Sequence, residues 1–134
     1  MTLVDTNILI EVLSGDPRWA QASIESLLTR KQIGPLAIND IIYAELAAGF
    51  DSREQLDGEV ELMGLSIVGF SRQALFLAGQ AFRAYRAAGG SRSSVLADFF
   101  IGAQAAAEAW PILTRDSRLY RTYFPEVAII GSGA

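Results

Sequence analysis

Apolar positions along the chain follow two alternating patterns. Short aliphatic runs at residues 3–4, 36–38, 65–68, 112–113 and 127–130 read as strands, each bounded by polar or turn-forming residues. Between them lie longer stretches whose apolar residues recur at helical spacing. A helix through residues 8–13 follows Asp5, Thr6 and Asn7, which suit its N-terminal cap, and Gly15, Asp16 and Pro17 stop it. Further helices are expected over 17–30, 40–48 (capped by Asn39, closed by Gly49), 52–63, 73–88 (opened by Ser71) and 95–109. A serine-rich loop, Ser91 to Ser94, precedes the last of these. Pro111 ends it, and Thr114, Arg115 and Asp116 form a turn after the fourth strand. Alternating strands and helices define the α/β class.

A length of 134 residues sets one domain, 1–134, as the expectation, and 51% apolar against 19% charged residues gives it ample material for a core. With neither cysteine nor histidine, the chain has no disulfides, thiol nucleophile, Ser-His-Asp triad or imidazole base. Any catalysis must run on carboxylates, hydroxyls, arginine and a borrowed metal. Asp98, Gln104 and Glu108 interrupt the longest apolar stretch, so no membrane span is expected. The first residues carry no basic start of a secretion signal, and a cytoplasmic location is the expectation.

Most of the fifteen acids fit a solvated surface, including Glu54, Asp57, Glu59 and Glu61 on one polar segment. Four do not. Asp5 and Asp116 directly follow strands, at the sheet edge where ligands collect in parallel folds; capping a helix is the plainer role for either. Glu45 has Ile41, Ile42, Ala48 and Gly49 as its helical neighbours, and Asp98 sits among Leu96, Ala97, Phe99, Phe100 and Ile101. An acid in such company needs a partner from elsewhere, since burying it unpaired costs several kcal/mol or drives its pKa up. If the four converge, their mutual repulsion calls for a cation. Mg²⁺, or Mn²⁺, suits oxygen ligands and needs no His or Cys. Such a metal can activate water and orient attack on a phosphodiester.

These residues carry a resemblance. The run Leu3, Val4, Asp5, Thr6, Asn7 resembles the opening of PIN domains, Glu45 to Gly49 their second acidic motif, Asp98 to Ala103 the third, and Thr114, Arg115, Asp116 the fourth. The size is most similar to VapC-type toxins, the ribonuclease half of type II toxin-antitoxin pairs. The resemblance implies a three-layer α/β/α sandwich around a mostly parallel sheet, and Mg²⁺-dependent cleavage of single-stranded RNA. It implies Asp5 and Asp98 as principal metal ligands, Glu45 completing the cluster, Asp116 supporting a second metal or its water, and Asn7 and Thr114 tying the acids together. It further implies a homodimer and a cognate antitoxin whose basic C-terminal tail crosses the site. Asn39 stands where many relatives carry Ser or Thr, and Phe99 and Phe100 are bulkier than usual.

The net charge of −4 argues against indiscriminate nucleic-acid binding, yet residues 62–97 hold Arg72, Arg83, Arg86 and Arg92 and no acid. Arg92, in a loop just before Asp98, is the expected phosphate contact, whereas Arg83 and Arg86 suit a solvated helix face. Trp19, Trp110, Phe76 and Phe82 read as core. An aspartyl-nucleophile phosphatase is disfavoured, because Asn7 occupies the place of its second acid and Lys31, the only lysine, lies in the wrong region. The remaining alternatives are a PIN-like module that binds a basic peptide without cleaving, and a housekeeping PIN nuclease.

Overall fold

The structure, a computed structural model, describes residues 1–131; residues 132–134 of the expected domain lie outside the described residues. Five strands, β1 (Thr2–Val4), β2 (Leu36–Ile38), β3 (Leu65–Ile67), β4 (Ile112–Thr114) and β5 (Ile129–Gly131), pair in the order β3-β2-β1-β4-β5, all parallel. Among the described residues the seven α-helices are α1 (Thr6–Ser14), α2 (Ala20–Ile33), α3 (Asp40–Ala47), α4 (Arg53–Leu62), α5 (Arg72–Ala87), α6 (Leu96–Glu108) and α7 (Arg118–Tyr123). Connections from β1 and β2 run one way across the sheet and those from β3 and β4 the other. Right-handed crossovers therefore put helices on both faces, the α/β sandwich that the resemblance implies. Helix α1 packs on α2 and α3, and α6 on α5 and α7.

The three central strands are covered on both faces, whereas the edge strands β3 and β5 are partly exposed. Leu3, Val4, Ala37, Ile38, Ile112 and Leu113 are fully buried, which explains why β1, β2 and β4 read as continuous aliphatic runs with no alternation. Two helix caps fall where expected, Asn39 accepting from Ile42 N and Ser71 from Ala74 N; Ser52, expected inside its helix, caps it instead by accepting from Gln55 N. Helix α2 starts three residues later than expected, because Asp16 holds a turn through Trp19 N, Ala20 N and Arg18 N. The serine-rich loop is shorter than expected, since Ser93–Val95 forms a 3-10 turn onto α6. Helix α7 was not expected at all. Leu119, Tyr120, Tyr123 and Phe124 carry its one-sided spacing, in a segment too short for periodicity to stand out.

Two placements depart from the expected core. Phe76 is 67% exposed on α5, because Ala74 and Ala78 form that helix's buried stripe. Trp19 is half-buried and lies under Arg115. Phe99 and Phe100, by contrast, turn away from Asp98. Phe99 packs among Phe82, Tyr85, Tyr123 and Phe124 with ring centroids 5.2–6.4 Å apart, and Phe100 meets Phe70 edge-on. The buried Asn39 donates to Gln104 Oε1 at 2.9 Å, and Gln104 reaches the carbonyl of Gly69 at 3.1 Å. Asn39 thus joins α3 to α6 across the end of the sheet.

Candidate active site

Because β1 and β4 are neighbours whose following connections leave in opposite directions, their C-terminal ends border the crevice in which parallel α/β folds bind ligands. Asp5 ends β1 and caps α1, its Oδ1 accepting from Thr6 N at 2.8 Å. Capping through Oδ1 leaves Oδ2 to face the cleft wall. Asp5 is only 5% exposed, and its Oδ2 accepts from the hydroxyls of Thr114 (2.9 Å) and Tyr120 (2.7 Å). Thr114 is held in turn by Asn7 Nδ2 at 3.3 Å, and Asn7 Oδ1 accepts from Arg115 N at 3.2 Å. Asn7 and Thr114 thus bind the end of β1 to the end of β4.

Helix α3 brings Glu45 to the same crevice. The partner missing from its own helix is Thr6, whose hydroxyl donates to Glu45 Oε1 at 2.6 Å. Glu45 itself is exposed to the cleft, so its apolar helical neighbours do not enclose it. Asp98 enters from the first turn of α6 and is half-buried. Asp116 lies in the loop after β4, exposed, with its backbone N donating to the Thr114 hydroxyl at 3.2 Å. It does not cap α7; Ser117 occupies that position. Asp5, Asn7, Glu45, Asp98, Asp116 and Tyr120 line one cleft of about 260 Å³.

The cleft is strongly negative. Burial, then the charges of Asp5, Glu45 and Asp116, push the Asp98 carboxyl from its ordinary 3.8 up to about 6, against a small opposing pull from Arg92. Burial also raises Asp5, although its three hydrogen bonds act in the other direction. The Tyr120 hydroxyl is raised well above its ordinary 10, by burial and by the charge of Asp5, so it stays a donor at all working pH values. Among the described residues no three acids form a ready-made cage for one ion. Mg²⁺ keeps much of its water and is held by one or two carboxylates together with substrate phosphates. A caged Ca²⁺ site or a nitrogen and sulfur zinc site has no counterpart in this donor set. The cleft's uncompensated negative field and its all-oxygen donors fit a hydrated hard cation.

Arg92 is exposed in the loop before α6, close enough for its charge to be felt at Asp98, while Arg72, Arg83 and Arg86 are exposed on α5. Arg115 is committed elsewhere: it forks onto Glu11 at 2.5 and 2.7 Å, reaches Ser23 at 3.0 Å and lies 4.1 Å over the Trp19 ring. Glu59, expected on a solvated face, is half-buried and lines an apolar groove with Glu45, Ile10, Leu13 and Phe50. Tyr120 and Thr6 are site residues that sequence reasoning missed. A one-sided spacing in residues 119–124 was the only signal for Tyr120, and Thr6 was marked only as part of the run that opens α1, with no sign that it meets Glu45.

The model for the PIN domain family matches residues 2–125, and the chain belongs to that family. No curated protein matches the sequence. Among solved structures, VapBC2 from Rickettsia felis bound to a promoter DNA fragment is similar at 20% identity and a TM-score of 0.75, with 98% of each chain covered. DNA-bound VapBC from Salmonella typhimurium is similar at 20% identity and a TM-score of 0.73, over 97% of this chain and 96% of that one. FitAcB from Neisseria gonorrhoeae aligns at 21% identity and a TM-score of 0.69, over 98% and 97%. At these identities the likeness is one of fold.

Proposed function

We propose that this chain is a divalent-metal-dependent endoribonuclease of the VapC kind, cutting single-stranded RNA as the toxin of a type II toxin-antitoxin pair. The observation that carries the nuclease reading is the cleft that Asp5, Glu45, Asp98 and Asp116 line together, where burial and then the charges of the other three acids raise the Asp98 pKa to about 6. Carboxylates stay crowded at such a cost where a cation offsets them. When bound, Mg²⁺ or Mn²⁺ supplies a water of lowered pKa and offsets charge on the leaving oxygen. Asp5 and Asp98 are the proposed principal ligands, with Glu45 and Asp116 completing the acidic set. Asn7 and Thr114 hold Asp5 in place, and Arg92 binds a phosphate of the RNA. The toxin reading draws support from the likeness, over nearly the whole chain, to subunits of VapBC complexes. On this reading the partner is an antitoxin with a basic C-terminal tail suited to the negative cleft, and the toxin is a cytoplasmic homodimer. Among the described residues no helix is long and apolar enough to cross a membrane.

The test is degradation of single-stranded RNA by purified protein with Mg²⁺, with EDTA, and in Asp98→Asn. Cleavage that needs the metal and vanishes in the variant supports the nuclease. RNA or peptide binding without cleavage by either form would instead favour the silent module. Expression in cells separates the toxin from the housekeeping nuclease: an active enzyme that leaves growth unimpaired is not a toxin.

A further inference from the structure

Three donors converge on the Asp5 carboxylate, and they are unevenly divided. Oδ1 accepts from Thr6 N alone, whereas Oδ2 accepts from both Thr114 and Tyr120. Each carboxylate oxygen offers about two lone-pair sites, so Oδ2 is filled and Oδ1 keeps one. The Tyr120 ring is fixed: it is 1% exposed and lies against Gly102 of α6, where a side-chain carbon would collide with Phe124 and come within 3.1 Å of the Tyr120 ring. Gly102 thus admits α7 close enough to α6 for the phenol to reach Asp5. A phenylalanine would fill the same space, so packing by itself does not call for the hydroxyl.

We infer that Tyr120 is a positioning residue that closes the second lone pair of Asp5 Oδ2, confines Asp5 to single-point coordination and thereby sets a preference of the cleft for Mg²⁺ over Ca²⁺. This rests on the metal-dependent reading above. Mg²⁺ demands near-octahedral geometry and suits carboxylates bound through one oxygen; Ca²⁺ accepts more oxygens, at longer and looser distances, and tolerates two-point carboxylates. A carboxylate free to turn and offer both oxygens loses the first ion's advantage. Partners of this indirect kind orient metal ligands, and their loss typically weakens metal binding by about 10–100-fold.

The experiment is calorimetric titration of the full chain with Mg²⁺ and, separately, Ca²⁺, in the parent and in Tyr120→Phe, which keeps the ring. Mg²⁺ affinity should fall roughly tenfold in Tyr120→Phe while Ca²⁺ affinity holds or rises, so that the Mg²⁺/Ca²⁺ ratio falls by at least that factor. Thr114→Val, which removes the other donor to the same oxygen, should move the ratio in the same direction and serves if Tyr120→Phe fails to fold. Tyr123→Phe deletes the same group one turn later and should leave the ratio unchanged. A Tyr120→Phe protein that melts earlier but keeps the parent's ratio would make the hydroxyl purely structural and overturn the inference. A parent that binds neither ion would overturn the metal reading, and the inference with it.

Discussion

Asp98 and Phe99 are neighbours on α6 that face opposite environments. Phe99 is fully buried among four aromatic rings contributed by α5, α7 and the residue after α7. Asp98 looks into a cleft where three other carboxylates oppose its ionisation. One side of the helix gains from every contact it makes; the other is held in an arrangement that the isolated chain would avoid. The apolar side keeps the acids together, because the helix cannot withdraw Asp98 without exposing Phe99. Fold stability and site strain are therefore coupled through one backbone, and they can be separated by substitution.

The largest effect is expected on the apolar side. Phe99→Ala should destabilise the protein by about 3–5 kcal/mol in denaturant unfolding, since the rings around it cannot close the cavity. A loss under about 1 kcal/mol would mean that the cluster is loosely packed and does not anchor α6.

Next in size is the response to metal. Mg²⁺ at about 100 times its dissociation constant should stabilise the parent by roughly 2.7 kcal/mol, and Asp98→Asn by much less. Equal responses in thermal melts would remove Asp98 from the metal site.

In EDTA the comparison reverses sign, because Asp98→Asn should be more stable than the parent. The folded parent binds a proton at Asp98 with a pKa of about 6 against an ordinary 3.8, so it loses stability as pH rises through that window, and asparagine does not. Allowing for solvent screening of a partly exposed group, the variant's advantage at pH 7.5 should be roughly 1–2 kcal/mol, shrinking toward zero near pH 4. A pH-independent difference would place its origin in packing. Glu61→Gln, at an exposed acid, is the control and should stay within about 0.5 kcal/mol of the parent at every pH. Glu59 cannot serve, since it shares a groove with Glu45.

The smallest effect concerns Arg92, which contributes one phosphate contact at most. Arg92→Ala should raise KM for RNA with little change in Mg²⁺ affinity and reduce the salt slope of binding by about 1. With Arg115 tied to Glu11, an unchanged slope would move the RNA path to the exposed Arg118 and Arg121.

What could be read before folding was whatever the chain encodes within a few residues: the aliphatic runs of β1, β2 and β4, the caps at Asn39 and Ser71, and the stop at Gly15. The four acids were legible for the same local reason, as charges out of keeping with their neighbours or placed at strand ends. Tertiary structure alone decided which groups answer them. Thr6 meets Glu45 across 39 positions, Thr114 meets Asp5 across 109 and Tyr120 meets Asp5 across 115. Such pairs depend on strand order and on how near α7 can approach at Gly102, neither of which leaves a periodic trace. The same holds for Phe76 and Glu59, whose exposure was misread because a helix's own pattern marks an apolar face without saying how far its neighbours extend over it. Local sequence sets the chemistry each element can offer, and the packing of distant elements determines which parts of that chemistry meet.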